Sequence, residues 1–364
     1  MSEPAYAPAL AASAIVQQFY ARRTAAVVPD PRTVSAVVNA AFWASLRREE
    51  GRSPKVSVAA VPPTMTGQPM TFERSLPLDA DVLVRLAPAV EGPGIHLGAW
   101  PAEDGRLRIW GAARDLPDLC LVAEVVEPGL LVLKYQRQRD QKFGNLAVLR
   151  GDQVRVVEEG DGVMPGRPAL SALLGTDSIN PWTDGGSLFT QLAVSMRRHG
   201  HGASLLVVPS GTDAWRDSIA YPAAYAMAPP FRALAERLEH PGDGDDGDEV
   251  RALVDAIAGL TAVDGAAIVT PRFELLAFGA TIRRKEGCPS VEQVVVTEPV
   301  VGDVALRVPA TELGGTRHLS AAQFVHDQRD ALAFVASQDG RFTVFAWSSA
   351  KQMVHGHRIE VLLL

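Results

Sequence analysis

The sequence predicts an α/β (α+β) protein of two domains: a β-rich N-terminal domain over residues 1–180 and a β-sheet covered by helices over residues 181–364. Three observations carry this. From Val56 to Val157 short apolar runs recur at roughly ten-residue intervals between Pro, Gly and Asp, the pattern of an antiparallel β-rich domain. After residue 188, apolar segments of helical spacing alternate with short, wholly apolar runs, of which Ala203–Pro209 is the clearest. Such a run suits a strand buried on both faces beneath helices. Between these regions, residues 158–186 are rich in Gly, Pro, Asp and Ser and read as a linker, with a short helix at 169–174 and the boundary near 180.

In order along the chain, residues 9–23 and 33–48 are predicted helices. Val34, Val37, Val38, Ala41, Phe42 and Leu46 recur on one helical face, Asp30-Pro31 marks the turn between the two helices, and Gly51 stops the second. Strands are expected at Val56–Val61, Val82–Leu86, Ile95–Trp100, Leu107–Ala112, Leu119–Val126, Leu130–Tyr135, Leu146–Leu149 and Gln153–Val157. Glu103-Asp104-Gly105 and Gly151-Asp152 are the hairpin turns. Trp100, Trp110, Tyr135 and Phe143 are expected to pack rather than cage a ligand. Lys134, Arg137, Arg139 and Lys142 read as a solvated basic hairpin. In the second half, helices are expected at 188–198, 229–239 and 249–260, and strands at 203–209, after Asp264, at 331–337 and at 359–363.

Composition excludes several classes. Hydrophobic content of 47% and charged content of 21% are those of a globular protein. A net charge of −7 argues against a nucleic-acid binder. No apolar run approaches the ~20 residues of a membrane span, and the first ten residues lack a secretory pattern, so a cytoplasmic location is expected. The two cysteines, Cys120 and Cys288, point to free thiols rather than a disulfide framework. No P-loop, HExxH, GxSxG or paired CxxC motif is present. The His199–His201 and His355–His357 triplets lack further metal ligands nearby and read as a helix stop and a hairpin. The acidic run 241–249 lacks the ligand spacing of a calcium loop.

Chemistry concentrates in two places. Gly314-Gly315-Thr316-Arg317-His318-Leu319-Ser320 combines a glycine turn, whose N–H groups can face an anion, with a planar guanidinium, an imidazole and two hydroxyls. The helix expected from Ala321 to Gln328 adds partial positive charge, and together these outline a phosphate site. Upstream, Asp264 opens an apolar strand, where a carboxylate is costly unless it meets a metal or a hydroxyl, and Gly265 would allow close approach to the backbone. Thr212, Asp213, Trp215, Arg216 and Ser218 follow a strand end and are expected to line the same site.

Asp264-Gly265-Ala266, the Phe278–Ile282 segment, Gly315-Thr316-Arg317-His318 with Ser320-Ala321, and the Ala331–Ser337 strand before Asp339-Gly340 resemble, in that order, the diadenylate cyclase (DAC) family. The resemblance begins near His201-Gly202-Ala203 and covers roughly residues 180–350. It implies a DAC-like mixed sheet and the condensation of two ATP molecules into cyclic di-AMP and pyrophosphate, in a face-to-face homo-oligomer of at least two protomers. Asp264, Arg317 and His318 are then the implied catalytic residues, with Asp264 holding Mg²⁺ or Mn²⁺. Gly265, Ala266, Ile282, Gly315, Thr316, Ser320 and Ser337 are the implied nucleotide contacts. The N-terminal domain would be a sensor. The sequence departs from the family's Arg-His-Arg at Leu319, which leaves open a degenerate module that binds ATP or a dinucleotide without turnover. A structural protein in which Arg317-His318 only caps a helix is a third reading.

Overall fold

The computed structural model describes residues 3–49, 51–92, 94–137, 143–157, 188–220, 223–240 and 247–364. It divides into two compact units, residues 1–159 with Leu364 and residues 160–363. The linker 158–186, its short helix, the boundary near 180, and Arg139 and Lys142 lie outside the described residues.

The first unit begins with α1 (Pro8–Tyr20) and α2 (Pro31–Ser45). The Asp30 carboxylate accepts from the Thr33 N–H at 2.7 Å and Pro31 opens the first turn, which fixes where α2 starts. There follow β1 (Ser57–Ala60), β2 (Met70–Pro77), α3 (Ala80–Leu86), β3 (His96–Pro101), β4 (Leu107–Ala113), β5 (Leu121–Glu127), β6 (Leu130–Gln136), β7 (Phe143–Arg150) and β8 (Gln153–Val156). The strands form one eight-stranded sheet in the order β2-β4-β3-β1-β5-β6-β7-β8. The sheet is mixed rather than antiparallel throughout, because β1 and β3 run parallel. Val34, Val37, Val38 and Ala41 of α2 are buried against Val58, Leu97, Ala123, Leu131 and Leu133 on one sheet face. Each Val or Leu buried there contributes about 1.5–3 kcal/mol. The opposite face carries a smaller cluster with Ala59, Val61, Trp110 and Val122, and the Trp110 indole donates to the Val61 carbonyl at 2.7 Å.

One local expectation is corrected. Val82–Leu86 is helical, because the Asp79 carboxylate accepts from the Val82 N–H at 2.9 Å and nucleates α3. The edge strand β2, not expected from the sequence, has almost all its residues exposed.

The second unit contains α4 (Leu188–Arg198), β9 (Ala203–Val207), β10 (Tyr225–Phe231), α5 (Ala233–Glu239), α6 (Gly247–Leu260), β11 (Ala266–Val269), β12 (Leu275–Ala280), β13 (Gln293–Thr297), β14 (Leu306–Pro309), α7 (Thr316–Asp327), β15 (Leu332–Ala336), β16 (Phe342–Ser348) and β17 (Met353–Arg358). Its nine strands run β10-β12-β11-β9-β15-β16-β17-β13-β14, with β9/β11 and β13/β17 parallel. β9 is wholly buried, as its apolar run predicts. Leu205 and Val207 pack with α4 and α6 on one face, while Leu206 and Val208 pack with Phe324 and Val325 of α7 on the other. The sheet is therefore a layer between helices.

Residues 229–231 belong to β10, not to a helix. His355 and His357 lie in the second strand of the β16–β17 hairpin rather than at its turn, buried, with both rings reaching the Thr297 hydroxyl at 3.1 and 3.0 Å. The run after them ends in a short 3-10 turn, Glu360–Leu362, not a strand. Among the described residues no helix is long and apolar enough to cross a membrane.

Candidate functional site

The registers place one end of the second sheet together. Ala203 at the start of β9 lies opposite Ala336 at the end of β15, and Ala266 at the start of β11 lies opposite Ala280 at the end of β12. Gly202, Asp264 and Ser337 are thereby brought to the same end, and α7 begins there. The gathering point is the amino end of the parallel pair β9 and β11, opposite to the carboxyl end expected for ligands. Correspondingly, the 3-10 turn Ala214–Ser218 packs at the far end of α7, where Gln328 Nε2 donates to the Ala214 carbonyl and the Ser218 hydroxyl. Nearly the whole of this 12-residue helix, at ~1.5 Å per residue, separates it from Arg317. Trp215 and Ser218 are buried there.

α7 starts at Thr316, five residues earlier than expected, so Arg317, His318 and Ser320 are on the helix itself. Gly315 is the N-cap, in an extended conformation, and no side chain caps the end. First-turn N–H groups and the positive end of the helix are thus presented without a protein carboxylate or hydroxyl upon them. Thr316 and Leu319 are exposed, and Ser320 is half-buried.

Arg317 lies across Gly202: a Cβ at that glycine would stand 2.8 Å from Nη1 and 3.2 Å from Cζ. One guanidinium nitrogen is 3.7 Å from Asp264 Oδ1, an ion pair rather than a hydrogen bond, and the Asp264 side chain is fully solvated. The buried, costly carboxylate expected at this position is therefore an exposed one. Its Oδ1 accepts from the Gly265 N–H at 3.1 Å. Gly265 has φ +103, and a Cβ there would be 2.5 Å from the Gly279 carbonyl carbon. The close approach that Gly265 permits is thus that of β12. Gly279, at φ +61, is in turn covered by the Tyr225 ring.

His318 is turned inward. It is 4% exposed and meets Phe345 edge-on at 6.1 Å between ring centres. Gly314, at φ +148, makes room for it, since a Cβ would be 3.0 Å from Nδ1. Burial lowers its pKa from the usual histidine value; Asp339 opposes this, and Arg358 and Arg341 reinforce it. A neutral imidazole under the turn can donate one hydrogen bond but supplies no charge, so Arg317 carries the cationic role at this helix end. Asp339 is held below its usual value: burial raises it, but the Ser337 hydroxyl, the Arg341 N–H and the Arg341 charge outweigh that.

Of the residues singled out from sequence, Asp264, Gly265, Gly315, Thr316, Arg317, His318 and Ser337 share this end. Ala266 is buried in β11, and Ile282 is packed with the α7 face of the core and bridges Ile219. Sequence reasoning missed Tyr225, which is 52% exposed and stacks on Phe278 at 4.7 Å beside the Gly265–Gly279 contact. Its only signal was an aromatic ahead of two prolines on an unmarked edge strand.

As a metal site, Asp264 offers a single exposed carboxylate. Among the described residues no group of three or more His, Cys, Asp or Glu converges to hold a metal. That donor set suits a hard ion that brings most of its ligands as water and phosphate oxygens, as Mg²⁺ does. It does not suit a structural metal.

Among curated proteins none matches the chain. Residues 23–114, from the turn after α1 to the end of β4, match the family described as probable sensor domain DACNV, the N-terminal sensor part of diadenylate cyclase proteins.

Proposed function

We propose that the chain is a diadenylate cyclase, condensing two ATP molecules into cyclic di-AMP and two pyrophosphates in its second unit under the control of its N-terminal sensor. The observation that carries this reading is the convergence of Asp264, Arg317 across Gly202, and the uncapped start of α7 at one sheet end. The sensor-family match over residues 23–114 supports it independently.

In this reading the triphosphate lies against the first turn of α7, with Gly315 and Thr316 donating to phosphate oxygens. Arg317 pairs with the phosphates and stabilises the charge that grows as pyrophosphate leaves. His318 donates one hydrogen bond from beneath the turn, and Ser320 and Ser337 orient oxygens. Tyr225 and Phe278 give the base a stacking surface. Asp264 faces the 3′-hydroxyl that attacks the α-phosphate and accepts its proton. Bound at Asp264, Mg²⁺ or Mn²⁺ would neutralise phosphate charge and make that hydroxyl more acidic. Because each protomer offers one such end, two copies must face each other to bring a hydroxyl to a second α-phosphate.

A second reading, an ATP- or dinucleotide-binding module without turnover, is favoured by Leu319. It stands 36% exposed on the first turn of α7, where the resembling family carries a cationic third residue. Incubating the purified protein with ATP and Mn²⁺ and resolving the nucleotides by mass spectrometry separates the two. Cyclic di-AMP supports the cyclase. Bound but unchanged ATP supports the module.

A further inference from the structure

The first sheet carries a polar row that neither the fold nor the second unit explains. Ser57 pairs with Glu124 across β1 and β5, and Val58 pairs with Leu97, so Glu124, Ser57 and His96 stand side by side on three adjacent strands. Side chains alternate along a strand. Because Val58, Leu97 and Ala123 face α1 and α2, the polar row lies on the opposite face. A cleft of about 320 Å³ opens there, lined by Ser57, His96 and Glu124 together with Ile95, Val126 and Phe143.

The hydrogen bonds are compatible with one complete arrangement of the protons. Ser57 Oγ donates to the Ile95 carbonyl at 3.2 Å, and a carbonyl only accepts. In that arrangement the 2.8 Å contact between Ser57 Oγ and His96 Nδ1 has Nδ1 donating. That tautomer leaves Nε2 as a bare acceptor. Burial holds His96 neutral, pushing its pKa down to about 4; Glu124 acts against this and Lys134 with it. Glu124 Oε2 accepts from Lys134 Nζ at 2.7 Å, and among the described residues Oε1 has no hydrogen-bond partner. The carboxylate charge is thus balanced while one of its oxygens stays available. Phe143 meets His96 edge-on at 5.3 Å.

We propose that this cleft is a ligand site of the sensor unit, taking a compact, uncharged nitrogen heterocycle with N–H donors, the chemistry of an aminopyrimidine or aminopurine. Two acceptors, His96 Nε2 and Glu124 Oε1, meet the amino edge, while Ile95, Val126 and Phe143 hold the ring. A volume at the lower end of small-molecule pockets limits the ligand to one such ring system. A neutral donor fits better than an ion: Lys134 offsets Glu124, and the other charged lining residues, Lys55 and Glu91, are of opposite sign. This inference does not depend on whether the second unit turns over ATP.

The test uses the full chain labelled with ¹⁵N-histidine, with the His96 signal assigned by its loss in His96→Phe. 2-Aminopyrimidine, cytosine and adenine are titrated, with pyrimidine and acetate as controls. The expected result is a shift of the His96 Nε2 resonance on adding at least one amino-bearing base. Affinity should be at least tenfold weaker for pyrimidine and for the His96→Phe protein. Reading His96 separates this site from base binding in the second unit, and the titration itself is followed on the wild-type protein. The proposal is overturned if no amino-bearing base moves that resonance, if pyrimidine binds as well as 2-aminopyrimidine, or if acetate alone produces the shift.

Discussion

Gly202→Ala tests the placement of Arg317 without touching Arg317. The added methyl would stand 2.8 Å from Nη1, 3.2 Å from Cζ and 3.5 Å from Nε, so the whole guanidinium must move to reach ordinary contact distance. The atoms displaced are the far end of a flexible side chain, half exposed to water, and Gly202 needs no left-handed backbone. Stability should therefore change by less than about 1 kcal/mol. A charge-assisted hydrogen bond to phosphate is worth about 1.5–3 kcal/mol. Losing its geometry should weaken ATP binding by roughly ten- to a hundredfold. Calorimetric titration with ATP, beside a thermal melt, reads both quantities. Arg317→Ala should give a similar loss, and the double variant little more than either single one. Unaltered ATP affinity in Gly202→Ala would refute the assignment of Arg317 to the phosphates.

Three further outcomes follow from the same geometry. Gly265→Ala should destabilise the second unit by about 2–4 kcal/mol, because the methyl meets the Gly279 backbone at 2.5 Å and φ is +103; a melt that matches wild type would contradict that packing. Leu319→Arg adds a cation to an exposed first-turn position of α7 and should tighten triphosphate binding by about tenfold, with unchanged affinity showing that Arg317 already suffices. His96 should make the first unit acid-sensitive: its folded pKa, about 4, lies below the ordinary 6.5, so its contribution is complete above pH 6.5 and is lost as pH falls toward 4. The full difference is about 3 kcal/mol. Urea melts between pH 7 and 4 should show that loss in wild type and a flatter acid limb in His96→Gln.

The strands that read clearly from sequence are those with two buried faces or one, such as β9 and β5, where apolar runs record burial directly. Those not foreseen include β2, β10 and β14, three edge strands whose residues are mostly exposed and so lack the continuous apolar run that marks a buried strand. β10 even accommodates Pro229 and Pro230 at the edge of the sheet. Val82–Leu86 misled because consecutive apolar residues fit either period; Asp79, three residues before Val82, was the deciding helix signal. At the site, Arg317 and Asp264 were legible because a glycine turn and a strand-opening acid are punctuation. The inward turn of His318 was not, since it depends on Phe345 and Gly314 closing around it. Tyr225 was invisible for another reason: its place beside Asp264 arises from the pairing of β10, β12 and β11.

The measurement that bears most directly on the account is the stoichiometry of ATP turnover by wild-type protein and by Asp264→Asn. That exchange keeps the size of a fully exposed side chain and removes its charge. Purified protein is incubated with ATP and Mn²⁺, and cyclic di-AMP and pyrophosphate are quantified together. Wild type should yield two pyrophosphates per cyclic di-AMP, and Asp264→Asn neither product at an unchanged melting temperature. Full product from Asp264→Asn, or ATP left intact by a wild-type protein that binds it, would contradict the cyclase.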